Sequence, residues 1–203
     1  MYTIIDDDGN ESMVAEPSPD YIYTYADYLQ WNFEERLELF RGKIFKMSAP
    51  ARDHQEISGN LFFSIRFCLG SNYCKVFSAP FGVRLPVKNK KKDNEINTVV
   101  QPDICVVCHE TKLDSRGCCG APDIIVEILS PGNSKKDTQN KFELYRESGV
   151  QEYWIVVPLF EYIVVYSLQN GKYIGSKPYG TGETITSSVL PGISIEVKDI
   201  FKN

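Results

Sequence analysis

The chain lacks any stretch of about 20 consecutive apolar residues, the length that a membrane-spanning helix needs, so the sequence predicts no membrane insertion. It also lacks the basic segment followed by an apolar one that a secretory signal would place near Met1. The first residues are instead polar and acidic, with consecutive aspartates over residues 6–8. We therefore expect a cytoplasmic protein.

An excess of positive charge is missing too. The 203 residues carry 22 lysines and arginines against 27 aspartates and glutamates, a formal net charge of −5. A protein that coats nucleic acid is normally basic, because neutralising phosphates supplies most of its affinity. The charge balance argues against a passive DNA-binding protein. It argues less against a nuclease, which needs carboxylates for a metal and only a local basic rim.

Histidine is scarce, with two residues, whereas cysteine occurs six times. Cys105 and Cys108 have a spacing found in zinc sites, but they lie in a strand-like apolar run. Residues three apart on a strand point to opposite faces, so the two sulfurs would not converge on one ion. Without a secretory signal a disulfide framework is not expected either. We predict buried free thiols.

The N-terminal part of the chain is the least regular. Its polar composition predicts a flexible arm over residues 1–20, followed by a single domain over residues 21–203. Short helices are predicted at Tyr25–Trp31 and Phe33–Leu37. The alternating segment Leu37–Met47, with a glycine at its centre, predicts a hairpin or a bent strand.

Two longer helices are predicted from the spacing of apolar residues. The first runs from Asp53 to Leu69, with Asp53 as N-cap and Glu56 completing a capping box. The second runs from Asp137 to Glu147 and ends at Gly149.

Continuous apolar runs bounded by loops indicate strands that are buried on both faces. Such runs, together with shorter strand-like segments, predict strands at residues 73–78, 82–87, 102–108, 122–129 and 153–157, a hairpin over 162–176 and an edge strand at 192–197. The fold class is therefore α/β, a mixed central β-sheet flanked by helices with an added C-terminal β-hairpin.

Two carboxylates interrupt the apolar pattern of neighbouring central strands. Asp103 opens one strand and Glu127 lies near the end of the next. A carboxylate in a buried strand needs a partner or a metal, because leaving it unpaired costs several kcal/mol. Both could ligate a hard divalent cation such as Mg²⁺, with a lysine from the following helix beside them. The cation would activate a water and neutralise charge on a phosphorane-like transition state.

These residues belong to a longer resemblance. The sequence resembles the PD-(D/E)xK superfamily and, more narrowly, the Uma-two-type restriction endonucleases, over about residues 20–200. The resemblance rests on Gln101–Val107, Gly120–Pro131, Asp137, Lys141, Tyr145, Gly149–Val150 and Glu152–Val156, with Glu38–Gly42 and Asp53–Gln55 upstream. It implies a restriction-endonuclease-like core, a Mg²⁺ cofactor for which Mn²⁺ can substitute, and DNA as substrate.

The lysine departs from the superfamily pattern. Two residues after Glu127 the chain has Leu129, where the superfamily has lysine. The Uma-two-type family carries this lysine on the next helix, a place that Lys141 occupies. Lys135 and Lys136, predicted in the loop before that helix, are rival candidates, and we favour Lys141.

The resemblance adds two residues to the candidate catalytic set of Asp103, Glu127 and Lys141. Glu38 matches the first acidic motif of the family, which implies that it ligates the metal beside Asp103 and Glu127, although it could equally be a surface glutamate. His54, at a helix start, could contact a phosphate or act as a polar group of the cap region.

Two further residues receive a structural interpretation. Asp123 begins the strand of Glu127 about 13 Å away at strand rise, too far to share a metal, and is expected to be a strand-end or turn residue. Tyr145 would share the helix face of Lys141 and is expected to cover the sheet.

The sequence thus predicts a Mg²⁺-dependent endodeoxyribonuclease that hydrolyses phosphodiester bonds with a metal-activated water. A homodimer is plausible for cutting both strands. The alternative is a catalytically silent nuclease-fold domain that binds DNA or a protein partner; the retained Asp103, Glu127 and Lys141 argue against it.

Overall fold

The computed structural model describes residues 2–5, 11–14, 20–31, 36–86, 91–130 and 135–202, and of residues 2–5, 11–14 and 135–137 only the backbone. The chain divides into two compact units. The first comprises Met1–Ala49 and Arg84–Val100, the second Pro50–Val83 and Gln101–Asn203. The single domain expected over residues 21–203 stays a prediction.

The elements of the described residues are, in chain order, β1 (Tyr2–Ile5), β2 (Glu11–Val14), α1 (Tyr25–Tyr28), β3 (Leu37–Phe40), β4 (Lys43–Lys46), α2 (Arg52–Leu69), β5 (Lys75–Ser78), β6 (Val83–Arg84), β7 (Val99–Val100), β8 (Ile104–Val107), β9 (Leu113–Asp114), β10 (Gly117–Cys119), β11 (Ile124–Ile128), α3 (Lys135–Ser148), β12 (Glu152–Val157), β13 (Tyr162–Gln169), β14 (Lys172–Gly175), β15 (Thr184–Thr186) and β16 (Ser194–Glu196). None of the helices in this described part of the chain has the length and apolar character to cross a membrane.

The first unit contains two antiparallel hairpins. β1 pairs with β2, so the segment expected to form a flexible arm contains regular structure. β3 pairs with β4 across a turn at Arg41 and Gly42, which confirms the predicted hairpin. Gly42 has a φ of 79°, a conformation that glycine adopts at little steric cost. The helix predicted over 33–37 is wrong at Leu37, which begins β3, and its residues 33–35 lie outside the described residues.

The second unit is built on a six-stranded mixed sheet in the order β14-β13-β12-β11-β8-β5. β11 and β12 run parallel, and the other neighbours run antiparallel. The residues of β8 are at most 1% exposed, as the continuous apolar run predicted. The mixed α/β core and the added hairpin β13-β14 are confirmed.

Helix α2 covers one face of this sheet. Ile57, Leu61 and Ile65 recur at one-turn spacing, are at most 7% exposed and belong to one apolar cluster with Val126 and Trp154 of the sheet. Burying one such aliphatic side chain contributes about 1.5–3 kcal/mol, so these contacts hold the helix on the sheet.

The start of α2 differs from the prediction. The helix begins at Arg52, and its N-cap, Ala51, makes no side-chain hydrogen bond. Asp53 therefore lies inside the helix, where it accepts a hydrogen bond from Arg52 at 3.0 Å. The predicted capping box of Asp53 and Glu56 is wrong, because the preceding backbone enters the helix one residue earlier.

Helix α3 lies on the opposite face. Side chains alternate along a strand, and Val126 and Trp154 point toward α2, so Glu127 and Tyr153 point toward α3. Tyr145 of α3 is fully buried, with its ring 5.1 Å from that of Tyr153. The helix begins at Lys135, two residues before its predicted start.

The C-terminal residues complete the apolar cluster on the α2 side. β16 pairs with β15 rather than with the edge of the main sheet, which corrects the predicted edge strand. Ile185 and Ile195 from this pair are at most 3% exposed and join the cluster of α2. The small strands β7, β9, β10 and β15 had not been predicted.

The cysteines correct one expectation and confirm another. Cys74 and Cys108 form a disulfide bond, not two free thiols. Lys75 pairs with Val107 in the antiparallel ladder of β5 and β8, so Cys74 and Cys108 are the next opposed pair. Cys108 belongs to the α2 cluster and Cys105 does not, so the two point to opposite faces as predicted. Burial raises the pKa of the free Cys105 thiol.

Candidate active site

Strand register brings the two predicted carboxylates opposite each other. Val126 of β11 pairs with Ile104 of β8 in an antiparallel ladder. The next opposed pair is Glu127 and Asp103, which directly precedes β8. Opposed residues of antiparallel strands have Cβ atoms about 4.5–5.5 Å apart. The two predicted carboxylates, Asp103 and Glu127, are therefore neighbours on adjacent central strands, at the start of β8 and near the end of β11.

Glu127 is bound by two side chains of α3. The Nζ of Lys141 lies 2.9 Å from its Oε1, and the hydroxyl of Tyr145 donates to the same oxygen at 2.6 Å. Residues four apart on a helix share one face, so one turn of α3 supplies both donors. The side chains of Glu127 and Lys141 are only 12% and 20% exposed. Partial exclusion of water strengthens this charge-assisted contact.

Asp103 is held from two other directions. Its Oδ2 accepts a hydrogen bond from the backbone N–H of Ile128 at 2.7 Å. The Nε2 of His54, in the first turn of α2, lies 3.3 Å from the same oxygen. Because Ile128 directly follows Glu127, this backbone hydrogen bond fixes Asp103 relative to Glu127.

His54 is partly buried at this edge, with a side chain 13% exposed. Its hydrogen bond with Asp103 raises the pKa of the imidazole, whereas burial acts in the opposite direction. Its Nδ1 is buried and has no hydrogen-bond partner among the described residues. The protonated imidazole is therefore favoured beside Asp103, and it leaves one buried N–H that could donate to a further group.

An aromatic layer lies behind Glu127. Tyr145, Tyr153 and Phe142 pack edge to face, with centroids 5.1 Å apart for the two tyrosines and 6.3 Å for Phe142 and Tyr153. Burial raises the pKa of Tyr153, and the negative charge of Glu127 adds to the shift. These aromatic side chains exclude water from one side of Glu127, so its charge is screened less by solvent.

The other candidates fall in different places. Glu38 lies on β3 of the first unit and is 8% exposed; its part in metal binding stays a prediction. Lys135 and Lys136 begin α3, and their side chains lie outside the described residues. The prediction that they lie in the loop before this helix is wrong, because the helix already begins at Lys135. Lys141 contacts Glu127 at 2.9 Å.

Asp123 has the structural role that was expected. Its Oδ2 accepts a hydrogen bond from the Cys108 N–H at 2.8 Å, at the start of β11. Two contacts were not predicted from the sequence. The spacing of Tyr145 and Lys141 indicated that they share a face of α3, but not that Tyr145 donates a hydrogen bond to Glu127.

The buried Glu152 was also missed. Its side chain accepts hydrogen bonds from Trp154, Ser187 and Ser188, so its role is structural.

A metal would have to rely on few protein ligands. Among the described residues, no group of three or more histidines, cysteines, aspartates or glutamates is arranged to hold a metal ion. Asp103 and Glu127 form a pair of hard oxygen donors. Mg²⁺ is commonly held by one or two carboxylates together with water and substrate phosphates, so such a pair suffices for it.

Comparison with known proteins gives a matching family model. The Uma2 family, described as "Putative restriction endonuclease", matches residues 25–198. The chain is also 28% identical, over 137 residues, to the protein slr1290 of Synechocystis sp. (strain ATCC 27184 / PCC 6803 / Kazusa), described as uncharacterized. That match covers 64% of this chain and 66% of the relative, so the chain spans slightly less than two thirds of the relative's length.

A solved structure has the same fold. It is described as a "putative nuclease belonging to DUF820" from Anabaena variabilis ATCC 29413 and superposes with a TM-score of 0.68 at 20% sequence identity. The match covers 88% of this chain and 97% of that chain. The restriction-endonuclease-like fold predicted from the sequence is thus confirmed.

Proposed function

From the premise that the chain belongs to the Uma2 family, whose model spans residues 25–198, we propose that it is a metal-dependent endonuclease that hydrolyses phosphodiester bonds of DNA. One observation carries the proposal. Glu127 lies opposite Asp103 where the adjacent strands β11 and β8 pair, and Lys141 contacts Glu127 at 2.9 Å. An acidic pair with a lysine at its side suits phosphodiester hydrolysis, in which negative charge develops at the phosphate.

Asp103 and Glu127 are the residues that would hold Mg²⁺, with Mn²⁺ as a substitute. The pair fits this ion because both ligands are carboxylates and because neighbouring groups already orient them. When bound, the cation would activate a water molecule and neutralise phosphate charge. Glu38 is proposed as a third acidic ligand on the strength of its motif alone.

Lys141 would provide positive charge beside the reacting phosphate. Its side chain is 20% exposed and its Nζ lies 2.9 Å from Oε1 of Glu127, so its charge is partly shielded from water and would lie close to a cation held by Glu127. Such preorganised charge stabilises a transition state without the cost of reorganising water. His54 would support Asp103 from α2 through its Nε2.

Tyr145 is proposed as a positioning residue. It is fully buried and donates to the same Glu127 oxygen that Lys141 contacts. A hydroxyl that holds a carboxylate in one orientation preserves its geometry for a metal. The tyrosine would act through Glu127 and need not touch the substrate.

A cleavage screen tests the proposal. Duplex, branched and single-stranded DNA and RNA are incubated with Mg²⁺ or Mn²⁺ and with wild type, Glu127→Gln or Glu110→Gln. Glu110 has a side chain 87% exposed and serves as the matched control. We expect wild type and Glu110→Gln to cut a DNA substrate and Glu127→Gln to leave it intact.

Two outcomes contradict the proposal. Cleavage that survives in Glu127→Gln would exclude this site as the source of the activity. A wild type that binds DNA but cuts no substrate with either metal would favour the catalytically silent binding domain. The homodimer, which would place two sites on one duplex, and the cytoplasmic location both stay predictions.

A further inference from the structure

Two large apolar side chains project from the short 3-10 turn Pro158–Phe160, which joins β12 to β13. Leu159 is 83% exposed and Phe160 is 68% exposed. The ring of Phe160 lies nearly parallel to that of Tyr162, at an interplanar angle of 12° with centroids 6.3 Å apart. Together with Tyr162 they place an apolar, partly aromatic surface at this turn, and such surfaces can serve as binding sites.

The turn lies at the same end of the strands as the candidate active site. β11 and β12 run parallel, with Glu127 beside Ile155, so the chain leaves β12 for the turn at the edge where Glu127 lies. The turn also contacts α2, the helix that brings His54 to Asp103.

Tyr162 also points to the same face of the sheet as Glu127. It pairs with Val157, two residues beyond Ile155 on β12, and residues two apart on a strand share a face. A strand spacing of about 4.8 Å and a rise of about 3.3 Å per residue put the Cα atoms of Tyr162 and Glu127 about 12 Å apart. That distance corresponds to about three or four stacked nucleotides at about 3.4 Å each.

We infer that Phe160 and Tyr162 form a stacking platform for an unpaired base of the substrate strand, so that the preferred substrate contains single-stranded nucleic acid about three or four nucleotides from the cleaved bond. The inference rests on the proposed function and specifies its substrate class. Aromatic rings bind bases of any sequence through their π-faces, whereas paired bases inside a duplex do not offer those faces. Stacking also gives affinity that does not depend on a basic surface, which suits a chain with a net charge of −5.

A second pair of exposed rings provides a matched control. Phe63 and Phe67 are 69% and 77% exposed, and their rings stack with centroids 6.2 Å apart. They lie on α2 away from the positions that pack on the sheet, Ile57, Leu61 and Ile65. Removing Phe67 changes a stacked, exposed phenylalanine without changing the edge that carries Glu127.

Binding of labelled oligonucleotides in the presence of EDTA tests the inference without cleavage. A single-stranded oligonucleotide with 2-aminopurine and its blunt duplex are titrated with wild type, Phe160→Ala, Phe160→Trp and Phe67→Ala. We expect Phe160→Ala to weaken single-strand binding by about 5- to 150-fold, the range for one lost base–aromatic stack. Quenching of 2-aminopurine should disappear in that variant, and Phe160→Trp should retain both properties. Phe67→Ala should behave like wild type, and duplex affinity should not change.

The outcomes separate this inference from the proposed function. Equal single-strand affinity in wild type and Phe160→Ala, or no single-strand binding by wild type, overturns the platform and leaves the exposed turn to a protein contact. If the wild type in that case still cuts duplex DNA and Glu127→Gln does not, the nuclease proposal survives. If Phe160→Ala weakens single-strand binding but the wild type cuts no substrate, the platform is supported and the proposed nuclease activity is excluded.

Discussion

The two faces of the main sheet in the second unit are built from different chemistry. On the α2 face, aliphatic residues such as Leu61, Ile65 and Ile104 are fully buried against one another. On the α3 face, tyrosines surround Glu127, which is paired with Lys141. The first face gains stability from apolar burial, whereas the second places a carboxylate in a shielded environment at some cost. Stability and proposed activity are therefore carried by opposite sides of the same strands.

The largest expected effect comes from the α2 face. Leu61→Ala should lower the free energy of unfolding by about 2–5 kcal/mol, because it leaves a cavity between α2 and the sheet. Denaturant unfolding measures this change, and Mn²⁺ affinity of the folded fraction should stay the same. Phe63→Ala, at a position 69% exposed on the same helix, is the control and should change stability by at most about 0.5 kcal/mol. Equal losses in both variants would contradict the claim that burial of α2 against the sheet provides this stability.

Lys141→Ala should have the largest effect on turnover from the α3 side. Loss of a charge that stabilises the transition state should lower kcat on the order of a hundredfold or more. Metal affinity should remain or increase, because a positive charge near the carboxylates is removed. Single-turnover cleavage and metal titration measure the two quantities separately.

The rival lysines serve as controls for Lys141. Lys135→Ala and Lys136→Ala should cut at nearly the wild-type rate. If one of them abolishes cleavage while Lys141→Ala does not, the lysine has been assigned to the wrong position of α3.

Tyr145→Phe should have an intermediate effect. The ring keeps its packing, but the 2.6 Å hydrogen bond to Glu127 is lost. Outer partners of metal ligands commonly contribute about 10- to 100-fold to metal affinity or activity. We expect a loss of this size, with KM for the nucleic acid unchanged. Tyr173→Phe is the matched control, because Tyr173 belongs to the same aromatic layer but donates to the Val150 carbonyl at 3.0 Å. The same loss in both variants would indicate a packing effect.

The smallest effect concerns pH and His54. Its hydrogen bond with Asp103 raises the pKa of His54 in the folded protein. The stabilisation is therefore complete below the unfolded value, about 6.5, and is lost as pH rises through the folded pKa. In metal-free protein, the unfolding free energy of wild type should exceed that of His54→Gln most at low pH, and the difference should shrink toward pH 8. His109→Gln is the control. A difference that does not vary with pH would exclude the imidazolium–carboxylate pair.

The central elements were predictable from local patterns. β8 and β11 appear in the sequence as continuous apolar runs, and α2 repeats apolar residues at one-turn spacing. Asp103 and Glu127 could be selected as a site because they interrupt those runs. The family resemblance selected Lys141, which the chain carries on α3.

Features that depend on register between distant strands were not predictable in the same way. Cys74 and Cys108 are 34 residues apart and become opposed only through the ladder of β5 and β8. The contact of Tyr145 with Glu127 requires α3 to lie over β11, which the spacing of Tyr145 and Lys141 does not specify. The cap of α2 was misplaced because Asp53 has the local signal of an N-cap, whereas the chain enters the helix at Arg52.

Titration of metal-free protein with Mn²⁺ tests the central claim, that Asp103 and Glu127 together hold a divalent cation. Calorimetry should give saturable binding for wild type and for Glu110→Gln, a substitution at an exposed side chain. The double variant Asp103→Asn, Glu127→Gln should give only heat of dilution and no metal-dependent rise in thermal stability. The same binding heat in wild type and the double variant would contradict the account.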